Sequence, residues 1–158
     1  MWFFMILCYL MTAMTFFMLL LNGIQGYFVF KIFHANHPTL ALLTIILYLF
    51  TQTLIIFYFV GIGVSIKEFV IDKKISADYH KRSFDLKRRL YPPVLLNMLL
   101  VMILFISGGA VDTKYMPGWI HGMLFYISLF HFIKTIIIEH NAFKKSTQIV
   151  IEMAQAAQ

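Results

Sequence analysis

Histidines are the side chains in this sequence best suited to chemistry, and there are six: His34, His37, His80, His121, His131 and His140. An imidazole can bind a metal or haem iron through one nitrogen while a hydrogen bond holds the other. His34-x-x-His37 would set two imidazoles on one helical face if the chain is helical there. His121, Ser128, His131, Thr135 and Glu139 fall within ~80° of one another on a helix, so they form one polar stripe among Phe, Leu and Ile.

These residues allow different sites. A haem b needs two imidazoles from facing helices at one depth, and the candidates are His121, His131, His34 and His37. His131 has no mid-depth histidine to face within the chain. His34 or His37 could meet His121 near one membrane surface. A zinc or copper ion would draw instead on His34, His37, His121 and Asp112. A quinone contact is a further reading of the stripe. The plainest reading is hydrogen bonding between helices, with His131 bonded to Asn97, Thr51 or Gln52. His80 and His140 fall in polar segments and read as solvated.

Other chemistry finds few residues. No serine–histidine–acid set, zinc-protease motif or phosphate loop occurs. No Asp, Glu or Lys is expected at mid-membrane depth, which leaves ion coupling without its usual groups. Cys8 is the only cysteine, so no intrachain disulfide can form.

The elements that must position these residues are long and uncharged. Phe3–Phe30, Pro38–Ile66, Tyr91–Val111 and Tyr115–Ile133 contain no Asp, Glu, Lys or Arg. About 20 apolar residues cross a bilayer core as a helix, and only a helix or closed barrel satisfies the backbone there. Charged residues make up 13% of the chain, about half the share of a soluble domain, so a soluble fold would lack a surface. The fold class expected is all-α: a polytopic membrane protein of four transmembrane helices over about 3–33, 39–66, 93–111 and 117–138. These make one membrane domain, 1–145, followed by a C-terminal tail, 146–158. The first apolar run lacks a basic leader and is longer than a signal segment, so Met1 onward is expected to remain as the first span.

Eleven of the thirteen Lys and Arg fall on one side of such an arrangement: eight between Lys67 and Arg89, then Lys134, Lys144 and Lys145. Only Lys31 and Lys114 fall on the other. Basic segments stay inside, so both termini and the loop 67–92 are expected there. The membrane would be a bacterial-type inner membrane or an organellar inner membrane. The pI near 9.5 has this topological origin and does not indicate nucleic acid. Within the loop, Ser76, Asp78, Arg82, Asp85 and Arg89 are spaced for a short amphipathic helix lying on the inner leaflet and ended by Pro92-Pro93.

The layout resembles that of the four-helix cytochrome b membrane anchors of succinate dehydrogenases, without their helix-borne histidine pair. The function expected is that of a small non-catalytic subunit that packs against and stabilises a larger membrane complex, a respiratory or other redox complex. The alternatives are a haem b-binding or quinone-contacting electron-transfer subunit and a small-solute or lipid-handling protein. The partners expected are membrane lipids, other membrane subunits or a second copy.

Overall fold

The computed structural model describes residues 2–28, 30–32 and 34–157. Among them are four helices: α1 Trp2–Phe28, α2 His37–Lys73, α3 Asp78–Asp112 and α4 Gly118–Ala156. All four are long and apolar enough to cross a membrane. Phe33, the expected end of the first span, lies outside the described residues.

Burial is inverted relative to a soluble protein. Phe3 is 77% exposed, Phe28 76% and Ile106 67%, whereas Gln52 and Asn97 are fully buried and Glu139 is 2% exposed. Large apolar side chains outside and amides inside make sense only when hydrocarbon is the solvent, because a polar group facing lipid loses its hydrogen bonds. The chain is an integral, multi-pass membrane protein.

Successive helices pack antiparallel, each against the next, and α4 closes back on α1. Thr15 Oγ1 meets Thr51 Oγ1 at 2.9 Å, and Tyr9 OH meets His140 Nδ1 at 3.0 Å. His140 is therefore bonded rather than merely solvated. Such contacts fix which residues share a level. Met5 stands beside Thr147 and Gly63 beside Lys87. Lys87, Arg88, Arg89, Lys144 and Lys145 thus ring the bundle near the start of α1. At the other level Gly26 faces His37, and Gly108 faces His121. Met5 and Gly26 are about 32 Å apart along the helix axis, close to the ~30 Å of a bilayer core. We refer to these levels as the charged end and the loop end.

Two packed clusters fill the bundle. Ile55, Phe59, Ile66, Leu90 and Phe143 belong to the one at the charged end, with Phe59 and Phe143 ring centres 5.0 Å apart. Leu19, Ile45, Tyr48, Val101 and Phe132 form the other, and Tyr48 meets Phe132 edge to face at 5.2 Å. Gly23 lets α4 approach α1: a Cβ there would collide with the Phe125 ring. Gly23→Ala is expected to cost about 1–3 kcal/mol by overpacking. Thermal unfolding in a mild detergent reads this, and an unchanged midpoint would show that the ring has room to step aside.

Local signals explain the helix ends. Asn36 caps α2, its Oδ1 accepting from Thr39 N at 3.1 Å and Thr39 Oγ1 at 2.6 Å, and Pro38 sits in the first turn, where its missing N–H costs nothing. Lys74, left-handed at φ 52°, closes α2. Gln25 is buried and donates through Nε2 to the carbonyls of Phe30 and Ala35, each at 2.8 Å, which pins the loop between α1 and α2.

The charged end differs from the sequence expectation. There is no separate helix in 67–92. α2 continues to Lys73, a four-residue turn follows, and α3 starts at Asp78 and runs unbroken through Pro92 and Pro93. The expected leaflet-lying helix is the first three turns or so of α3. Proline fixes φ at a helical value, so the pair costs α3 the N–H partners of the Arg88 and Arg89 carbonyls rather than its direction. Those carbonyls lie at the level of the cation ring, where water can bond them. α4 likewise passes 138 and continues to Ala156. α2, α3 and α4 therefore project past the charged end, and Arg82 Nη1 ties α3 to Glu152 Oε2 of α4 at 2.6 Å.

Candidate functional site

Two of the histidines come together at the loop end. The Asn36 cap makes His37 the first residue of α2, and Gly118 starts α4 so that His121 lies in its first turn. The two ring centres are 6.2 Å apart, with planes at 80°. Each ring is backed by a glycine of the preceding helix. A Cβ on Gly26 would stand 3.1 Å from His37 Cε1, and one on Gly108 would stand 3.3 Å from His121 Cε1. Larger residues at either position would push the imidazoles out of place.

Hydrogen-bond counting fixes the state of His121. Ser107 Oγ has one hydrogen, and it donates that hydrogen to the Leu104 carbonyl at 2.7 Å. Its 2.8 Å contact with His121 Nδ1 must then run the other way, with the imidazole donating. The Leu104 carbonyl also faces this ring. A neutral His121 therefore keeps its proton on Nδ1 and presents the bare lone pair of Nε2. This is the arrangement of a metal-binding imidazole held by an outer hydrogen bond. His37 Nδ1 is buried and has no partner.

The pair lines a cavity of about 990 Å³ between the four helices. Leu19, Ile45 and Val101 line it from the bundle centre. Asn22, Asn36 and Tyr126 add polar groups, and six glycines contribute backbone alone: Gly23, Gly26, Gly108, Gly109, Gly118 and Gly122. The chain's own Phe125, His37 and His121 rings already lie against Gly23, Gly26 and Gly108, and Gly109 is left open.

Of the other expected site residues, Asp112 lines the same cavity and His34 does not. His34 is exposed in the loop before α2, with φ 66°. It does not share a helix with His37, because α2 begins only at the Asn36 cap. Asp112 ends α3 and is near His121. Among the described residues, no three His, Cys, Asp or Glu side chains gather as a metal-holding group.

His131 works differently. Its Nδ1 lies 3.0 Å from Asn97 Oδ1, and Asn97 Nδ2 donates in turn to the Tyr48 hydroxyl. Thr135 Oγ1 donates to the His131 carbonyl at 2.9 Å, so its hydrogen is engaged. The chain α2–α3–α4 is stitched at mid-depth by this relay, ten residues and about 15 Å from His121.

Sequence reasoning missed one feature of the interior. Glu139 is buried, not marginal. Its carboxyl faces Gln52 of α2, with Cys8 and Tyr9 of α1 nearby. Glu139 Oε1, both polar atoms of Gln52 and the Tyr58 hydroxyl are buried without hydrogen-bond partners. An ionisable carboxyl therefore does sit inside the bundle, against the expectation of none. Its place in the polar stripe was the available signal.

No family model, curated protein or solved structure matches the chain.

Proposed function

We propose that this chain is a small subunit of a membrane redox complex that holds haem b at the loop end, between His37 and His121. The observation that carries the reading is the imidazole pair itself. His37 and His121 would hold the group, one imidazole from each of two helices. Their ring centres are 6.2 Å apart. The free Nε2 of His121 is a lone-pair donor, which suits iron and does not suit a quinone carbonyl, which needs an N–H.

Among the described residues two helical imidazoles and one cavity come together, with no soluble segment beside them to receive or deliver electrons. A haem held here would exchange them with neighbouring subunits. The cation distribution supports placing the charged end, with both termini, on the inner side of a bacterial-type or organellar inner membrane. The haem would then sit near the outer surface.

An absorption spectrum tests this. The chain purified in mild detergent from haem-supplied cells is expected to show a Soret band and a haem b pyridine haemochrome at about one haem per chain. His37→Ala and His121→Ala should each abolish the native spectrum, and His131→Ala should retain it. Absence of the band from the parent chain, or its survival in both loop-end variants, would overturn the proposal.

A second reading is a cofactor-free packing subunit. It is favoured by the mid-depth relay, where His131 serves only to join helices. It predicts that partner subunits copurify and that His131→Ala impairs assembly without touching any spectrum.

A further inference from the structure

A second cavity, about 470 Å³, lies between α3 and α4 at the charged end. Its lining reaches from Ile138 and Leu90 to the cation ring of Arg89 and Lys145. Leu90, Ile138 and Ala142 line its apolar part. Arg89 and Lys145 line its polar part from opposite helices, together with Asn141 and Arg82. Arg82 is engaged by Glu152 at 2.6 Å. Asp85, one turn before Arg89, is the only carboxylate in the lining. Among the described residues neither Arg89 nor Lys145 has an ion-pair partner within 4.0 Å.

We infer that this groove binds the phosphodiester head group of an anionic phospholipid. Arg89 and Lys145 would meet the phosphate, one from each helix, with the Asn141 amide able to donate a third hydrogen bond. The apolar part continues toward the bilayer, so one acyl chain can lie along Ile138 while the head group stays in the groove. A basic cavity between helices at a membrane border suits such a molecule better than a free anion, because both halves of the ligand find a matching surface. The lipid would bridge α3 and α4 beside Pro92-Pro93, where α3 lacks two backbone bonds.

The test compares thermal unfolding of the whole chain in phosphatidylcholine nanodiscs with and without phosphatidylglycerol. The parent chain should gain several degrees in Tm from the anionic lipid, as expected for a ligand that binds only the folded state. Arg89→Gln/Lys145→Gln should match the parent in phosphatidylcholine and lose most of the gain. These side chains are exposed, and Lys145→Gln alone gives a milder variant should the pair fold poorly. Lys73→Gln/Lys74→Gln removes the same charge away from the groove and should keep the gain. Equal losses in both double variants would mean diffuse surface attraction. No gain in the parent would mean no site. The same gain from inorganic phosphate in phosphatidylcholine would mean a soluble anion. Each of these would overturn the inference.

Discussion

Asn97→Ala is expected to cost about 2–3 kcal/mol of bundle stability. Asn97 is fully buried on α3 and joins two other helices at once, accepting from His131 of α4 and donating to Tyr48 of α2. Single interhelical hydrogen bonds in membranes average only about 0.6 kcal/mol, because separated helices find other partners. Two features raise the figure here. Truncation orphans the imidazole N–H and leaves the Tyr48 hydroxyl without its donor, both in apolar surroundings. It also opens a gap beside Val101 and Phe132 that the core must close. The measurement is unfolding in mixed micelles against a denaturing detergent. Tyr48→Phe should cost less, and the double variant should fall short of additivity, since the partner left alone by each change is removed by the other. An Asn97→Ala loss below about 0.5 kcal/mol would show that the relay is not what joins the helices.

The four spans were legible because lipid demands a property that composition displays directly, a run of about twenty residues without charge. The ends were less legible. Charge marks where the membrane stops, not where the helix stops, so Lys67–Lys73 and Ser146–Ala156 read as loop and tail although nothing in them breaks a helix. Pro92-Pro93 read as a boundary for the opposite reason. A missing N–H is decisive in the middle of a buried helix but tolerable at a wetted level, and depth along α3 becomes clear only once Lys87 is seen beside Gly63.

The site divides in the same way. His37 and His121 could be placed on one side of the membrane by counting spans, and the structure adds their 6.2 Å approach. Ser107 carries no signal of its own in the sequence. Its hydroxyl orients His121, which depends on a neighbour fourteen positions away on another helix. Gln52 and Glu139 are 87 positions apart in sequence. Helical phase gave each a face, but only packing shows that those faces meet.

Glu139→Gln is expected to leave the bundle as stable as the parent or stabilise it by about 1–2 kcal/mol, whereas Glu139→Ala should weaken it by a similar amount. Glu139 and Gln52 are the residues that α4 and α2 turn toward each other in a region otherwise filled by Ile55, Phe59 and Phe143. Among the described residues no Lys or Arg forms an ion pair with the carboxyl, and burying an unpaired ionisable group is costly. A glutamine has the same shape and carries both a donor and an acceptor. It can therefore complement both orphaned atoms of Gln52, which a carboxylate with acceptors alone cannot do. Alanine removes the cost of the carboxyl but leaves the Gln52 amide alone beside a new void. Unfolding in mixed micelles ranks the three proteins. If Glu139→Gln is weaker than Glu139→Ala, the carboxyl is held by a cation that an amide cannot bind, and Glu139 becomes a binding residue in its own right.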